Sequence, residues 1–230
     1  MNDRLRLDLN PYKTLVFDCD GVVLNSNKVK TQAFYDATLS FGHDKAQALV
    51  DYHVQNGGVS RYLKFEYFIE EILKQTVTRE LLNELLVKFA MEVKAGLMQS
   101  DIAEGLIELR KQTPQAKWLI VSGGDQNELR EVFSARGLFD LFDGGIFGSP
   151  DDKDIILKRE LENHNIKNPA LFLGDSKYDF LASNRAKLDF VFLTKWSEFG
   201  SWKTFFTSKK VVACSNINEL TNGNGGCFEY

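Results

Sequence analysis

The sequence predicts an α/β fold, a parallel sheet with helices on both faces, interrupted early by an all-helical domain. Three observations carry this. Apolar runs alternate with helical patterns from residue 101 to residue 193, as the β-α units of a parallel sheet require. Between about residues 28 and 96 no convincing strand occurs, so a helical block splits the core. Two short apolar runs, Thr14-Leu15-Val16-Phe17 and Ala170-Leu171-Phe172-Leu173, end directly in acidic turns, where an open parallel sheet gathers its ligand site. The core is therefore assigned to residues 1–25 and 97–230, and the helical cap domain to residues 26–96.

Each element follows from its pattern. After the strand Thr14 to Phe17, the segment Lys28 to Phe41 sets Val29, Ala33, Phe34, Ala37 and Phe41 at helical spacing and stops at Gly42. Helical patterns continue over Asp44 to Gln55, Ser60 to Lys74 and Thr78 to Lys94, with Ser60 as an N-cap beside the Gly57-Gly58 turn. The second half reads as helix Asp101 to Lys111, strand Lys117 to Val121, helix Gln126 to Arg136 and strand Gly145 to Phe147. Helix Asp152 to His164, strand Ala170 to Leu173, helix Tyr178 to Lys187 and strand Phe190 to Leu193 complete the alternation. Lys210 to Ala213 is a last strand candidate, Asn222 to Gly226 reads as flexible, and the aromatic stretch Trp196 to Phe206 yields no element.

A chain that is 43% hydrophobic and 26% charged is globular, which excludes disordered and fibrous classes. A net charge of −4 gives no footprint for nucleic acid. No apolar stretch reaches membrane-spanning length, and Met1-Asn2-Asp3-Arg4-Leu5 lacks a signal-peptide pattern; a cytoplasmic protein without a membrane partner is expected. The oligomeric state is open. Three cysteines at unrelated spacings, Cys19, Cys214 and Cys227, predict neither a disulfide framework nor a zinc site. Cys19 alternates away from its two aspartate neighbours and reads as a core thiol.

The acidic turns carry the chemistry. Buried strands that end in Asp18, Asp20, Asp175 and Asp179 need compensation, and a hard divalent cation supplies it. Asp18 is the candidate nucleophile, since a carboxylate can attack phosphorus and split one displacement into two easier ones. Asp20 would face the same side, placed to protonate a leaving alcohol and then activate water; the alternative is a pair of turn-forming residues. Asp175 would complete a Mg²⁺ site with Asp18. Asp179 could reach the metal through water, orient a ligand, or cap the helix beginning near Lys177, and Ser176 reads as a turn or cap residue. Ser122, after Leu119-Ile120-Val121 and before Gly123-Gly124, would hold an anion with its hydroxyl and the following amides. Lys153 would neutralise that anion, with Lys158 or Lys167 as alternatives if the loop register differs.

Together these segments resemble the haloacid dehalogenase-like superfamily of phosphotransferases. Asp18-Cys19-Asp20-Gly21-Val22-Val23 matches its first signature, Ser122 its second, Lys153 its third, and Gly174-Asp175-Ser176 through Asp179 its fourth, in order, over about Lys13 to Leu193. The resemblance implies a Rossmann-like core with a helical cap, as in the phosphoglycolate phosphatase and β-phosphoglucomutase types. It also implies Mg²⁺-dependent hydrolysis of a small phosphorylated metabolite such as a sugar phosphate, with Asp18 as nucleophile, Asp20 as acid and base, and the Asp20 carbonyl on the metal. Gly57-Gly58-Val59-Ser60-Arg61 resembles the specificity loop of capped members, which implies that Arg61 engages a substrate anion. Lys64 shares that helix face, although solvated charges would look the same; His53 reads as a core or hinge residue. The alternative activity is sugar phosphomutation, against which Gly174 stands where that chemistry has an acid. Dehalogenation does not use Asp20, phosphonate hydrolysis needs a Schiff-base lysine for which only Lys28 and Lys30 stand near the cap entrance, and a silent binding module is opposed by the competent residue at every position.

Overall fold

The computed structural model describes residues 7–221 and 226–229. Among them a single sheet runs in the order β3-β2-β1-β4-β5-β6-β7, with β1 at Thr14–Phe17, β2 at Lys117–Asp125, β3 at Gly145–Ser149, β4 at Ala170–Gly174, β5 at Asp189–Leu193, β6 at Val212–Cys214 and β7 at Phe228–Glu229. Neighbours are parallel except for β7, which lies antiparallel on β6. Phe17, the last residue of β1, is level with Ile120 of β2 and Leu173 of β4. The chain therefore delivers the turns after all three strands to one edge, the carboxyl-end crevice where open α/β sheets bind ligands.

Strand alternation sorts the core into two layers. Leu15 and Phe17 pack with Trp118, Ile120, Leu109, Leu129 and Phe133 on one face, against α5 (Leu106–Gln112) and α6 (Gln126–Ala135). Val16 packs with Leu119, Val121, Phe172, Ile156 and Leu157 on the other, beneath α7 (Lys153–Glu162) and α8 (Lys177–Arg185). The one polar atom of Trp118 is satisfied, its indole N–H donating to Thr113 Oγ1 at 3.1 Å.

Between β1 and α5 the chain forms a helical block of α1 (Asn27–Thr38), α2 (His43–Gln55), α3 (Arg61–Tyr67) and α4 (Arg79–Gln99). Its centre is aromatic: Phe34 lies 4.3 Å from Phe89 and 5.2 Å from Phe65, centroid to centroid. Each such buried ring contributes about 1.5–3 kcal/mol. In α4 the buried Leu85, Phe89, Val93 and Leu97 recur every fourth residue, one stripe turned into the core. The chain leaves and re-enters the core side by side, with Asn25 N donating to Asp101 O and Ala103 N to Val23 O, both at 2.9 Å.

Several elements differ from expectation. The helix foreseen from Asp101 begins only at Leu106, because residues 101–103 pair with the exit strand and Gly105 has a φ of 83°. The helix from Ser60 is not uniform, since α3 passes into a π-helical turn over Phe68–Ile72. The strand at Lys117 runs on to Asp125, and the last strand candidate lies two residues later, at β6. Trp196 to Phe206 contains a short helix, α9 (Trp202–Phe206), whose Phe206 packs on Phe192 of β5. The Asn222 to Gly226 expectation falls on residues 222–225, outside the described residues, apart from Gly226.

The cysteine expectation was wrong. Cys214 and Cys227 form a disulfide, because β7 turns back along β6 and brings the two thiols together, a pairing that sequence spacing does not announce. Cys19 is a buried free thiol, as expected.

Candidate active site

The site is built on the turn after β1. The Asp18 amide continues the sheet by donating to Leu173 O (3.0 Å), while Asp18 Oδ1 accepts from the Cys19 amide (2.7 Å) and faces Lys153 Nζ at 3.0 Å. Gly21 makes the turn possible. Its φ is 74° and a Cβ there would sit 2.0 Å from Asp175 Oδ2, so any side chain would push the two acidic turns apart.

Asp20 points into a different environment from Asp18. Its Oδ1 accepts from Ser26 Oγ (2.6 Å) and its Oδ2 pairs with Lys30 Nζ from α1. Burial pushes the Asp20 carboxyl up, but Lys30 and the two hydrogen bonds outweigh it and hold the group below its ordinary value. Asp18 goes the other way, raised to about 7 by burial against the pull of Lys153, with Asp179 and Asp20 adding repulsion. Neighbouring carboxylates two residues apart are thus driven in opposite directions.

Asp175 follows β4 directly, and Asp179 stands in the first turn of α8. Asp175 Oδ2 accepts from Asn27 Nδ2 at 2.6 Å, and burial, then Asp179 and Asp18, drive its carboxyl well upward. Asp179 is fully buried and already saturated: Oδ2 accepts from the Asp175 amide (3.2 Å), the Ser176 amide (3.0 Å) and Ser176 Oγ (2.7 Å), while Oδ1 pairs with Lys153. With Ser176 Oγ accepting from the Asp179 amide, the two residues form a capping box at the start of α8.

Lys153 stands at the start of α7 and is completely enclosed. Burial opposes its charge, yet Asp179 and Asp18 hold the ammonium above its usual value. Asp18, Asp175 and Asp179 each offer an oxygen, all within 4.8 Å of one another. One lysine cannot neutralise three buried carboxylates. The oxygens of Asp18 and Asp175 not engaged above fit a hard divalent cation.

Ser122 ends the apolar part of β2, its Oγ accepting from the Gly124 amide at 3.0 Å. A Cβ on Gly123 would lie 2.3 Å from Gly58 O, so the Gly57-Gly58 turn of the helical block rests backbone to backbone on this loop. One cavity results. Asp18, Asp20, Asp175, Gly123, Arg61 and Lys64 all line it, and Ser122, Lys153 and Asp179 lie fully buried around them. These nine candidates therefore converge on one place, whereas Lys158, an alternative to Lys153, is an exposed side chain of α7.

The surroundings of the two cap residues are less expected. Arg61 donates through both terminal nitrogens to Glu128 of α6, at 3.1 and 2.5 Å, with its guanidinium 4.5 Å over the Phe89 ring. Lys64 Nζ lies 2.7 Å from His53 Nδ1. Sequence reasoning missed Ser26, Asn27, Glu128 and Glu198, and did not distinguish Lys30 from Lys28. Asn27 also donates to Trp196 O (2.9 Å), and Ser197 Oγ donates to Asp175 O (2.5 Å), so the unassigned aromatic stretch buttresses the acidic turn. These contacts join residues up to 169 positions apart, and no local pattern signals them.

Comparison with known proteins identifies the fold and the family. No curated protein matches the chain in sequence. A hydrolase from Pseudomonas syringae superposes with a TM-score of 0.70 at 19% identity, over 92% of this chain and 97% of that one. A predicted phosphoglycolate phosphatase from Haemophilus somnus 129PT gives 0.69 at 16% identity, over 93% and 98%. A β-phosphoglucomutase from Clostridium difficile gives 0.68 at 17% identity, over 91% and 93%. At such identities these likenesses establish the shared fold. The profile of the haloacid dehalogenase-like hydrolases matches residues 12–187, spanning both acidic turns, and the chain belongs to that hydrolase family.

Proposed function

We propose that the protein is a Mg²⁺-dependent phosphatase that hydrolyses a small phosphorylated metabolite through a phosphoryl group carried on Asp18. The observation that supports this best is geometric: one cavity gathers Asp18, which faces Lys153 and has Asp175 as a second carboxylate beside it, and Asp20, which is held separately by Lys30 and Ser26. Two carboxylates held by separate partners in one cavity can act separately, one as nucleophile and the other as proton carrier.

In this reading an oxygen of Asp18 attacks phosphorus as the bond to the leaving alcohol breaks. Lys153, Ser122 and the amides after it stabilise the charge on the transferring oxygens. Asp20 gives a proton to the departing alkoxide and later takes one from the water that cleaves the phospho-aspartate. Lys30 and Ser26 favour its ionised form, which suits the water step, so protonating the leaving group needs the Lys30 contact to loosen when substrate arrives. Mg²⁺ held by Asp18 and Asp175 would neutralise the phosphoryl group and the nucleophile together. Asp179 positions Lys153 and shapes the Asp175 turn. The helices over the cavity, read as a cap domain over residues 26–96, would exclude bulk water.

The test is phosphate release from a panel of small phosphate esters, with Mg²⁺ or EDTA, by wild type and Asp18→Asn. Metal-dependent release lost in the variant is expected. Isomer conversion without release would make the protein a mutase, and equal release by Asp18→Asn would sink the mechanism.

A further inference from the structure

The helical block presents three cations to the cavity, and two are already committed. Lys30 is paired with Asp20, and Arg61 gives both terminal nitrogens to Glu128. Lys64 is different. It is 2% exposed, and among the described residues no carboxylate lies within 4.0 Å of its ammonium, whose one hydrogen-bond partner is His53 Nδ1 at 2.7 Å. The ammonium also lies over the Phe34 ring, 5.5 Å from its centroid, a further weak contact. Burial, and then Lys64 and Lys30, hold the His53 imidazole well below its ordinary value, so the ring is neutral and its Nδ1 accepts a hydrogen bond from the ammonium.

The remaining charged groups that face Lys64 do not supply the missing counter-ion. Asp20 is held by Lys30, Lys153 by Asp18 and Asp179, and Glu198 stays beyond ion-pair distance while accepting from Thr31 Oγ1 at 2.9 Å. Burial, and then Lys30, accordingly bring Lys64 down to about 7. A second group reports the same deficit. Arg61 Nε is buried without a hydrogen-bond partner, and Arg61 lines the same cavity. Two buried donors left short of acceptors on residues that line one cavity mark a place for an anion.

We propose that Lys64 receives a second anionic group of the substrate, so that the enzyme prefers phosphate esters that are themselves acids, such as phosphorylated hydroxy acids or bisphosphates, over neutral sugar monophosphates. This rests on the phosphatase reading above. Lys64 is the specificity residue, His53 a positioning residue that fixes the ammonium by accepting a hydrogen bond from it, and Arg61 chiefly a tie between α3 and α6.

The experiment compares kcat/KM, with Mg²⁺ at pH 7, on 2-phosphoglycolate, glucose 1,6-bisphosphate and glucose 6-phosphate, for wild type, Lys64→Met, Lys64→Arg and His53→Gln. Wild type should favour one or both acidic esters, and their comparison tells whether the second group is a carboxylate or a phosphate. Lys64→Met should lower the ratio of acidic to neutral substrate by about 10²-fold, the usual cost of removing one partner of a desolvated charge pair, mainly through KM; Lys64→Arg should restore part of it. His53→Gln should raise KM for the acidic esters with little change in their kcat. An equal loss on all three substrates in a folded Lys64→Met, or a wild type that favours glucose 6-phosphate, overturns the proposal. Calorimetric binding of 2-phosphoglycolate and ethyl phosphate to Asp18→Asn, with and without Lys64→Met, separates the two ideas. Lys64-dependent preference for the acid without turnover in wild type would sink the phosphatase reading alone, whereas turnover in wild type with no Lys64-dependent preference would sink the proposal alone.

Discussion

Mg²⁺ should stabilise the metal-free protein far more at pH 8 than at pH 5. In the folded chain burial raises the Asp18 carboxyl from 3.8 to about 7, and Asp175 is displaced the same way. An acid raised by folding contributes stability that is complete below the unfolded value, near pH 4, and disappears as the pH climbs through 7. For Asp18 alone, a rise of roughly 3 units at about 1.36 kcal/mol each makes this loss about 4 kcal/mol. A cation bound to the ionised oxygens reverses the penalty, because it favours the very form that burial disfavours; at pH 5 it must first displace protons. In a chain of this size 1 kcal/mol moves Tm by about 2–4 °C, so the extra gain at pH 8 has a ceiling near ~8–16 °C. Differential scanning calorimetry at both pH values, in EDTA and in millimolar MgCl₂, reads it directly, with Asp175→Asn as the variant that should lose the gain. A metal-induced rise in Tm that is equal at the two pH values, or larger at pH 5, would refute the assignment of Asp18 and Asp175 as the oxygens concerned.

Two further outcomes follow from contacts outside the acidic turns. Glu128→Gln strands the Arg61 guanidinium, whose side chain is 6% exposed against 10% for its partner, and should cost about 3–5 kcal/mol in urea unfolding; a loss below ~1 kcal/mol would show that the pair does not tie α3 to α6. Reducing the disulfide between Cys214 and Cys227, 13 residues apart, should lower stability by about 2–4 kcal/mol. Two additional reactive thiols in the unreduced, unfolded protein would show that the bond is not formed.

The sheet was legible because buried parallel strands are written as short local runs, and β1, β4 and β5 lie within a residue of where Thr14 to Phe17, Ala170 to Leu173 and Phe190 to Leu193 place them. The acidic turns were legible for a related reason, since a charge at the end of such a run is itself a local anomaly. What escaped was set by distance along the chain. Asn27 meets Asp175 across 148 positions and Arg61 meets Glu128 across 67, and which way a cap side chain leans depends on how the helical block sits over the sheet. The same limit hid β7, two residues long, whose pairing is decided by a partner strand and a cross-link rather than by its own pattern. Asp179 shows the middle ground. Its helix-capping option was visible in the sequence, but only the enclosed Lys153 beside it reveals that the same carboxylate also orders the site.

The disulfide also bears on a hazard far from catalysis. A parallel sheet ends in a strand with a free row of amides and carbonyls, and such an edge can recruit other chains. Here Val212 and Ala213 of β6 are level with Glu229 and Phe228, and Cys227 is covalently fixed beside them. Since β7 is only two residues long and runs the opposite way, it offers a newcomer almost no template of its own. Cross-linking thus turns β7 into a guard on the sheet's margin, and a reducing environment, by releasing the guard, makes self-association rather than lost turnover the first consequence to look for.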